Sequence, residues 1–102
     1  MYIAMNNFRV KPERAGEFEQ AWRERESFLA GTPGFQSFAL LRGPLEGEAQ
    51  LYASHTVWQD EAAFVAWTES DRFAKAHAGG GKTTPMLLGP PRFVGWQEVP
   101  MK

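Results

Sequence analysis

The sequence predicts an α+β fold in which strands and helices follow one another as β-α-β-β-α-β, with the strands joined in a four-stranded antiparallel sheet. Three observations predict it. Residues 2–10 alternate with the period of a strand, residues 12–30 carry apolar side chains at helical spacing, and residues 35–58 hold two strand-length apolar segments in succession. Two such segments joined by a short connection pair antiparallel, and helices before and after them then cover one face of the sheet.

The first strand directs Tyr2, Ala4, Asn6, Phe8 and Val10 to one side and Ile3, Met5, Asn7 and Arg9 to the other. Pro12 suits a first helical turn, where its missing N–H is not needed, and Phe18, Trp22, Arg25 and Leu29 form one stripe of a helix ending near Ala30. Gly31-Thr32-Pro33-Gly34 closes it, because glycine terminates helices and the residue before a proline is driven to extended geometry. A strand over 35–42 is expected to break at Gly43-Pro44, with a hairpin loop over 45–49 and a return strand over 50–58. Asp60 is a candidate N-cap for a short helix carrying Phe64 and Trp67, and Ser70 or Asp71 for a second one carrying Phe73 and His77. A Gly- and Pro-rich loop over 78–91, whose residues 79–91 are a candidate lid carrying Met86, Leu87 and Leu88, leads to a last strand over 93–99. The order is ferredoxin-like. It leaves the sheet face bearing Ile3 and Met5 uncovered, so a homodimer that joins two sheets is expected.

At 102 residues the chain reads as a single domain over 1–102, and its 43% apolar and 14% aromatic content is generous for so small a core, which points to surface reserved for a partner or a ligand. The formal net charge of −1, without runs of one sign, argues against nucleic acid as a partner. No cysteine is present, which removes disulfides, thiolate metal sites and thiol nucleophiles, so redox chemistry requires a cofactor. Residues 1–10 lack the pattern of a signal peptide and no apolar run reaches membrane-spanning length, so a soluble, cytoplasmic protein without a membrane partner is expected.

Asn6 stands on the apolar side of its strand, where an unpaired carboxamide costs roughly 1–3 kcal/mol. Either it bonds neighbouring backbone, or Asn7 is the inward residue, or Asn6 serves a ligand. His77 lies at a helix end, where an imidazole is often a cap; equally, a neutral imidazole ligates iron, and the glycines that follow leave room for a flat macrocycle. His55 alternates with Leu51, Ala53 and Val57 and reads as a buried or interface histidine. Trp67 lies one turn from Phe64 and Phe73 one turn from His77, an arrangement that serves a core wall or a pocket wall alike. Gly79-Gly80-Gly81-Lys82-Thr83 is not a phosphate-binding loop, since that motif wants a strand before it and a helix after it. Glu17, Glu19, Glu24 and Glu26 fit a solvated helix face among Arg14, Arg23 and Arg25, and neither a hydrolase triad nor a Cys/His zinc pattern is present.

Asn6 on the first strand, Thr56-Val57-Trp58 leading into Ala63-Phe64-Val65-Ala66-Trp67, then Ser70-Asp71-Arg72-Phe73 and Ala76-His77, together resemble the haem-degrading monooxygenases of the antibiotic biosynthesis monooxygenase superfamily. The resemblance covers nearly the whole chain and implies a dimeric α+β barrel, with haem as cofactor and substrate together between sheet and helices. It implies that His77 ligates the iron, that Asn6 donates a hydrogen bond on the opposite side, and that Trp67 packs against the porphyrin and favours its distortion, with Phe64 and Phe73 beside it. Electrons would come from an unidentified external donor. Two alternatives share this frame: a cofactor-free monooxygenase of a quinol-like aromatic, and a haem-binding protein without catalysis.

Overall fold

The computed structural model of the chain describes residues 1–25, 28–77 and 82–101. Its elements are β1 (Tyr2–Val10), a 3₁₀ turn (Pro12–Arg14), α1 (Ala15–Glu24), β2 (Phe35–Glu46), β3 (Ala49–Trp58), α2 (Glu61–Thr68), α3 (Asp71–His77), a second 3₁₀ turn (Thr84–Met86) and β4 (Arg92–Gln97). The strands form one sheet in the order β2-β3-β1-β4, with every neighbouring pair antiparallel. This is the ferredoxin-like arrangement expected from the alternation and the two helical regions.

Local chemistry explains most boundaries. Asp60 caps α2, its Oδ1 accepting from the Ala63 amide at 2.8 Å. Ser70 caps α3, its Oγ accepting from the Phe73 amide at 3.2 Å, and the same hydroxyl donates to the Trp67 carbonyl, which fastens the two helices end to end. Gly34 has φ +82°, and a Cβ there would fall 2.4 Å from the Ala63 side chain, so only glycine lets β2 begin beneath α2.

Two boundaries differ most from expectation. The helix predicted to reach Ala30 ends at Glu24, and Arg25 is already extended. The stripe that suggested a longer helix serves two separate clusters: Phe18 packs with Phe8, Val10, Tyr52 and Met86, whereas Leu29 packs with Tyr2, Ala4, Trp58, Trp67 and Ala76. One straight helix does not serve both, and the chain leaves helical geometry between them. Gly43-Pro44 does not end the second strand either. The pair falls within β2 at a register shift between Arg42 and Leu45, and the hairpin turns instead at Gly47, whose φ is +59°. Proline is tolerated there because β2 is an edge strand and the ladder is already irregular.

A polar staple joins three elements on the helical side. Glu19 of α1 accepts from the Tyr52 phenol of β3 at 2.5 Å and from Nε and an NH2 group of Arg42 on β2 at 2.8 and 2.6 Å. The phenol first, and then the guanidinium, hold the Glu19 carboxyl below its ordinary value. Since the folded value is the lower one, the stabilisation is complete above the ordinary carboxylate range and is lost as pH falls through it. Glu19→Gln is therefore expected to remove part of the acid sensitivity of the fold in that window. Urea unfolding of both proteins between pH 3 and 6 checks it; parallel pH profiles would contradict the staple.

The other sheet face carries Ile3, Met5 and Asn7 of β1, with Val57, His55 and Ala53 opposite them on β3. No described element covers it, and Leu41 and Trp96, on the same face, are 42% and 56% exposed. His55 lies half-buried there, opposite Met5 and Ala39.

Candidate functional site

A cavity of about 450 Å³ opens on the helical side, lined by residues of β1, β2, β3, α1, α2, α3 and β4 together with Arg25 and Leu29. Along β1 it lies where the core is interrupted: Ala4 belongs to one apolar cluster and Phe8 to the other, and Asn6 stands between them. Ladder geometry decides which asparagine faces in. Asn6 lines the cavity, while Asn7 points to the opposite face, where its Nδ2 donates to the Arg92 carbonyl at 3.2 Å. The Asn6 carboxamide is half-buried and makes no side-chain hydrogen bond with any described residue.

All of Asn6, Phe64, Trp67, Phe73 and His77 line this one cavity. Trp67 is 6% exposed, its ring tilted against Trp58 at 6.2 Å and edge-on to Phe73 at 5.7 Å, so it is held from two sides. Phe64 stacks nearly parallel on Phe93 at 5.5 Å. His77 ends α3 at the rim, with its ring 4.0 Å from that of Phe73. Its Nδ1 lies 2.9 Å from the Phe73 carbonyl, one turn back. A carbonyl only accepts, so Nδ1 carries the proton and Nε2 presents a lone pair, the tautomer that a metal requires. Partial burial of the ring lowers its pKa from the ordinary imidazole value; the Phe73 carbonyl opposes this and the Arg25 charge adds to it. The residues that follow, Ala78 to Gly81, lie outside the described residues, as does Glu26; the glycine string and the first part of the lid expected over 79–91 fall among them. Beyond that string, Met86 is buried in the core and Leu87 bridges to Val10, so this part of the segment packs against the edge of β1.

Several lining residues were not singled out from sequence as site residues. Arg25 lies with its guanidinium 4.6 Å from the centre of the Trp22 ring, and its Nε donates to the Ala76 carbonyl at 3.3 Å. Burial lowers its pKa, and it has no carboxylate partner among the described residues. The signal was present, a charged residue inside an otherwise apolar stripe, but it reads equally as an exposed helix position. Trp22 stacks on Phe38 at 5.9 Å, and its indole nitrogen is buried without a hydrogen-bond partner among the described residues. Ser54 and Phe93 flank Asn6 across the ladder, positions that only the register reveals.

The cleft thus combines aromatic walls, a carboxamide on its sheet floor and a nitrogen lone pair at its helical rim with the Arg25 guanidinium, which has no carboxylate partner among the described residues. Among the described residues no helix is long and apolar enough to cross a membrane, and no group of three or more His, Cys, Asp or Glu side chains is placed to hold a metal ion. The His77 imidazole on this cleft is a donor of the kind that ligates a metal.

The chain is similar to several known proteins. A haem-degrading monooxygenase of Shouchella clausii (strain KSM-K16) is 34% identical over 56 residues, 55% of this chain and 52% of that protein, so the chain spans about half the length of the curated relative it matches. The haem-degrader MhuD of Mycobacterium tuberculosis, with two haems bound in its active site, is similar along 100% of this chain and 99% of its own, at 29% identity and a TM-score of 0.75. SnoaB, a cofactor-independent oxygenase from Streptomyces nogalater, has a TM-score of 0.69 at 23% identity over 98% of this chain and 94% of its own, a likeness of fold alone. The antibiotic biosynthesis monooxygenase family matches residues 1–79, from β1 through α3, and with them every element that builds the cleft except β4; the chain belongs to that family.

Proposed function

We propose that this protein is a haem-degrading monooxygenase, an oxidoreductase that uses dioxygen and an external reductant to open the porphyrin ring and release iron. The observation that carries the reading is the pairing of His77, its Nε2 lone pair free, with an uncommitted Asn6 amide in one aromatic cleft. The residues fit the group. His77 Nε2 would hold the iron, the Phe64, Trp67 and Phe73 rings would lie against the macrocycle, and the Arg25 guanidinium offers a cation to a carboxylate of the ligand. When bound, haem supplies both the metal that engages dioxygen and the carbon skeleton that is oxidised.

The chain's own residues do the rest. The Phe73 carbonyl fixes the His77 tautomer, and Ser70 and Asp71 set the start of the helix that presents it. Trp67, held between Trp58 and Phe73, would be a rigid wall for the bound macrocycle. Asn6 offers an N–H donor on the floor opposite the imidazole and orients a polar ligand atom there. The apolar walls exclude water and strengthen that hydrogen bond. The reading includes a homodimer closed over the open sheet face and a cytoplasmic location, which the cysteine-free chain suits.

Haemin added to the purified protein is expected to give a Soret band at one or more equivalents. Ascorbate in air is expected to consume that band, with iron appearing in a ferrous chelator. Haem that stays intact under reductant would leave a binding protein, and turnover of a quinol without haem would replace the reading altogether.

A further inference from the structure

We infer that Ser54 is a second ligand-contacting residue on the cleft floor, acting beside Asn6 on the face opposite His77; the inference rests on the haem reading. In the ladder Ser54 is the direct partner of Asn6, with Leu40 on its other side and Phe93 beyond Asn6. Directly opposed residues hold their Cβ atoms about 4.5–5.5 Å apart, so hydroxyl and carboxamide form one small polar patch between a leucine and a phenylalanine. Both side chains line the cavity and both are half-buried.

The contrast with Thr56, two residues along the same strand and face, is what gives Ser54 meaning. The Thr56 hydroxyl is committed: it donates to the Ala4 carbonyl and accepts from the Trp58 indole at 2.9 Å. The Ser54 hydroxyl makes no side-chain hydrogen bond with any described residue. A half-buried hydroxyl without a protein partner among the described residues, next to a carboxamide in the same condition, leaves both groups available to a ligand in the cleft. The two groups differ in capacity, since the amide nitrogen only donates and the hydroxyl donates or accepts. Together they suit a small polar ligand with two acceptor atoms, such as a diatomic molecule.

The test uses the haemin-reconstituted protein and two probes, cyanide on ferric haem and carbon monoxide on ferrous haem. Ser54→Ala is expected to keep the Soret band of haem, to release cyanide about 3- to 10-fold faster, and to raise the C–O stretching frequency as a hydrogen-bond donor is lost. Ser54→Thr, which restores the hydroxyl, is expected to return both readings toward those of the parent. Asn6→Ala should move them in the same direction, and the double variant should change less than the sum of the two singles. Parent-like cyanide release and C–O frequency in Ser54→Ala, alongside a shifted Asn6→Ala, would overturn the assignment while leaving the haem reading in place. Loss of the Soret band in Ser54→Ala alone would assign the residue a structural role instead. Absence of a Soret band in the parent protein would overturn both.

Discussion

Replacing His77 with alanine is expected to remove the Soret band of added haem at micromolar concentration. Its Nε2 is the one imidazole lone pair on the cavity, since the other histidine, His55, lies on the opposite sheet face. Losing a mere hydrogen-bond partner of a metal ligand costs roughly 10–100-fold in affinity, and losing the ligand should exceed that. The fold should survive, because His77 is exposed at a helix end and its one side-chain hydrogen bond among the described residues is local. Thermal unfolding of the variant should follow the parent closely, and imidazole in the buffer should restore part of the band. Full haem affinity in the variant would sink the assignment.

Trp58→Ala is expected to destabilise the protein by about 3–5 kcal/mol, the range for truncating a large buried aromatic. Trp58 is fully buried at the end of β3, packed edge-on against Phe35 and Phe64 and tilted against Trp67, and its indole nitrogen donates to Thr56. Against a total stability of about 5–15 kcal/mol, such a loss brings the chain close to unfolding at ordinary temperatures. Haem affinity should fall as well, because Trp67 loses the ring behind it and its orientation is no longer fixed. Urea midpoints measure the first effect, and a haemin titration below the unfolding transition measures the second. A loss under 1 kcal/mol would mean that the Trp58 cavity collapses without consequence. Trp58→Phe, which keeps a ring but drops the bond to Thr56, should lie between the two.

The elements were legible wherever a local rule decided them. Asp60 announces its helix, and Ser70 or Asp71 the next, because a short polar side chain before an apolar run has few better uses than an N-cap; the structure gives the second cap to Ser70. The extent of α1 was not legible, because Phe18 and Leu29 share one helical stripe in sequence and two different cores in space. Gly43-Pro44 looked like a strand end, since whether a proline breaks a strand depends on its being central or at an edge, and strand order is not written locally.

At the site, the chain by itself determined the chemical vocabulary: a carboxamide on an apolar strand face, a histidine at a helix end, aromatics one turn apart and no thiol. Those follow from residue type and from periods of 2 and about 3.6, which the backbone imposes anywhere. Tertiary structure alone decided that Asn6 and not Asn7 faces the cleft, that Arg25 leaves its helix to stand over Trp22, and that Ser54 sits beside Asn6. Each depends on strand register or on a chain reversal, and these are fixed by the packing of residues some fifty positions apart, beyond the reach of any local pattern.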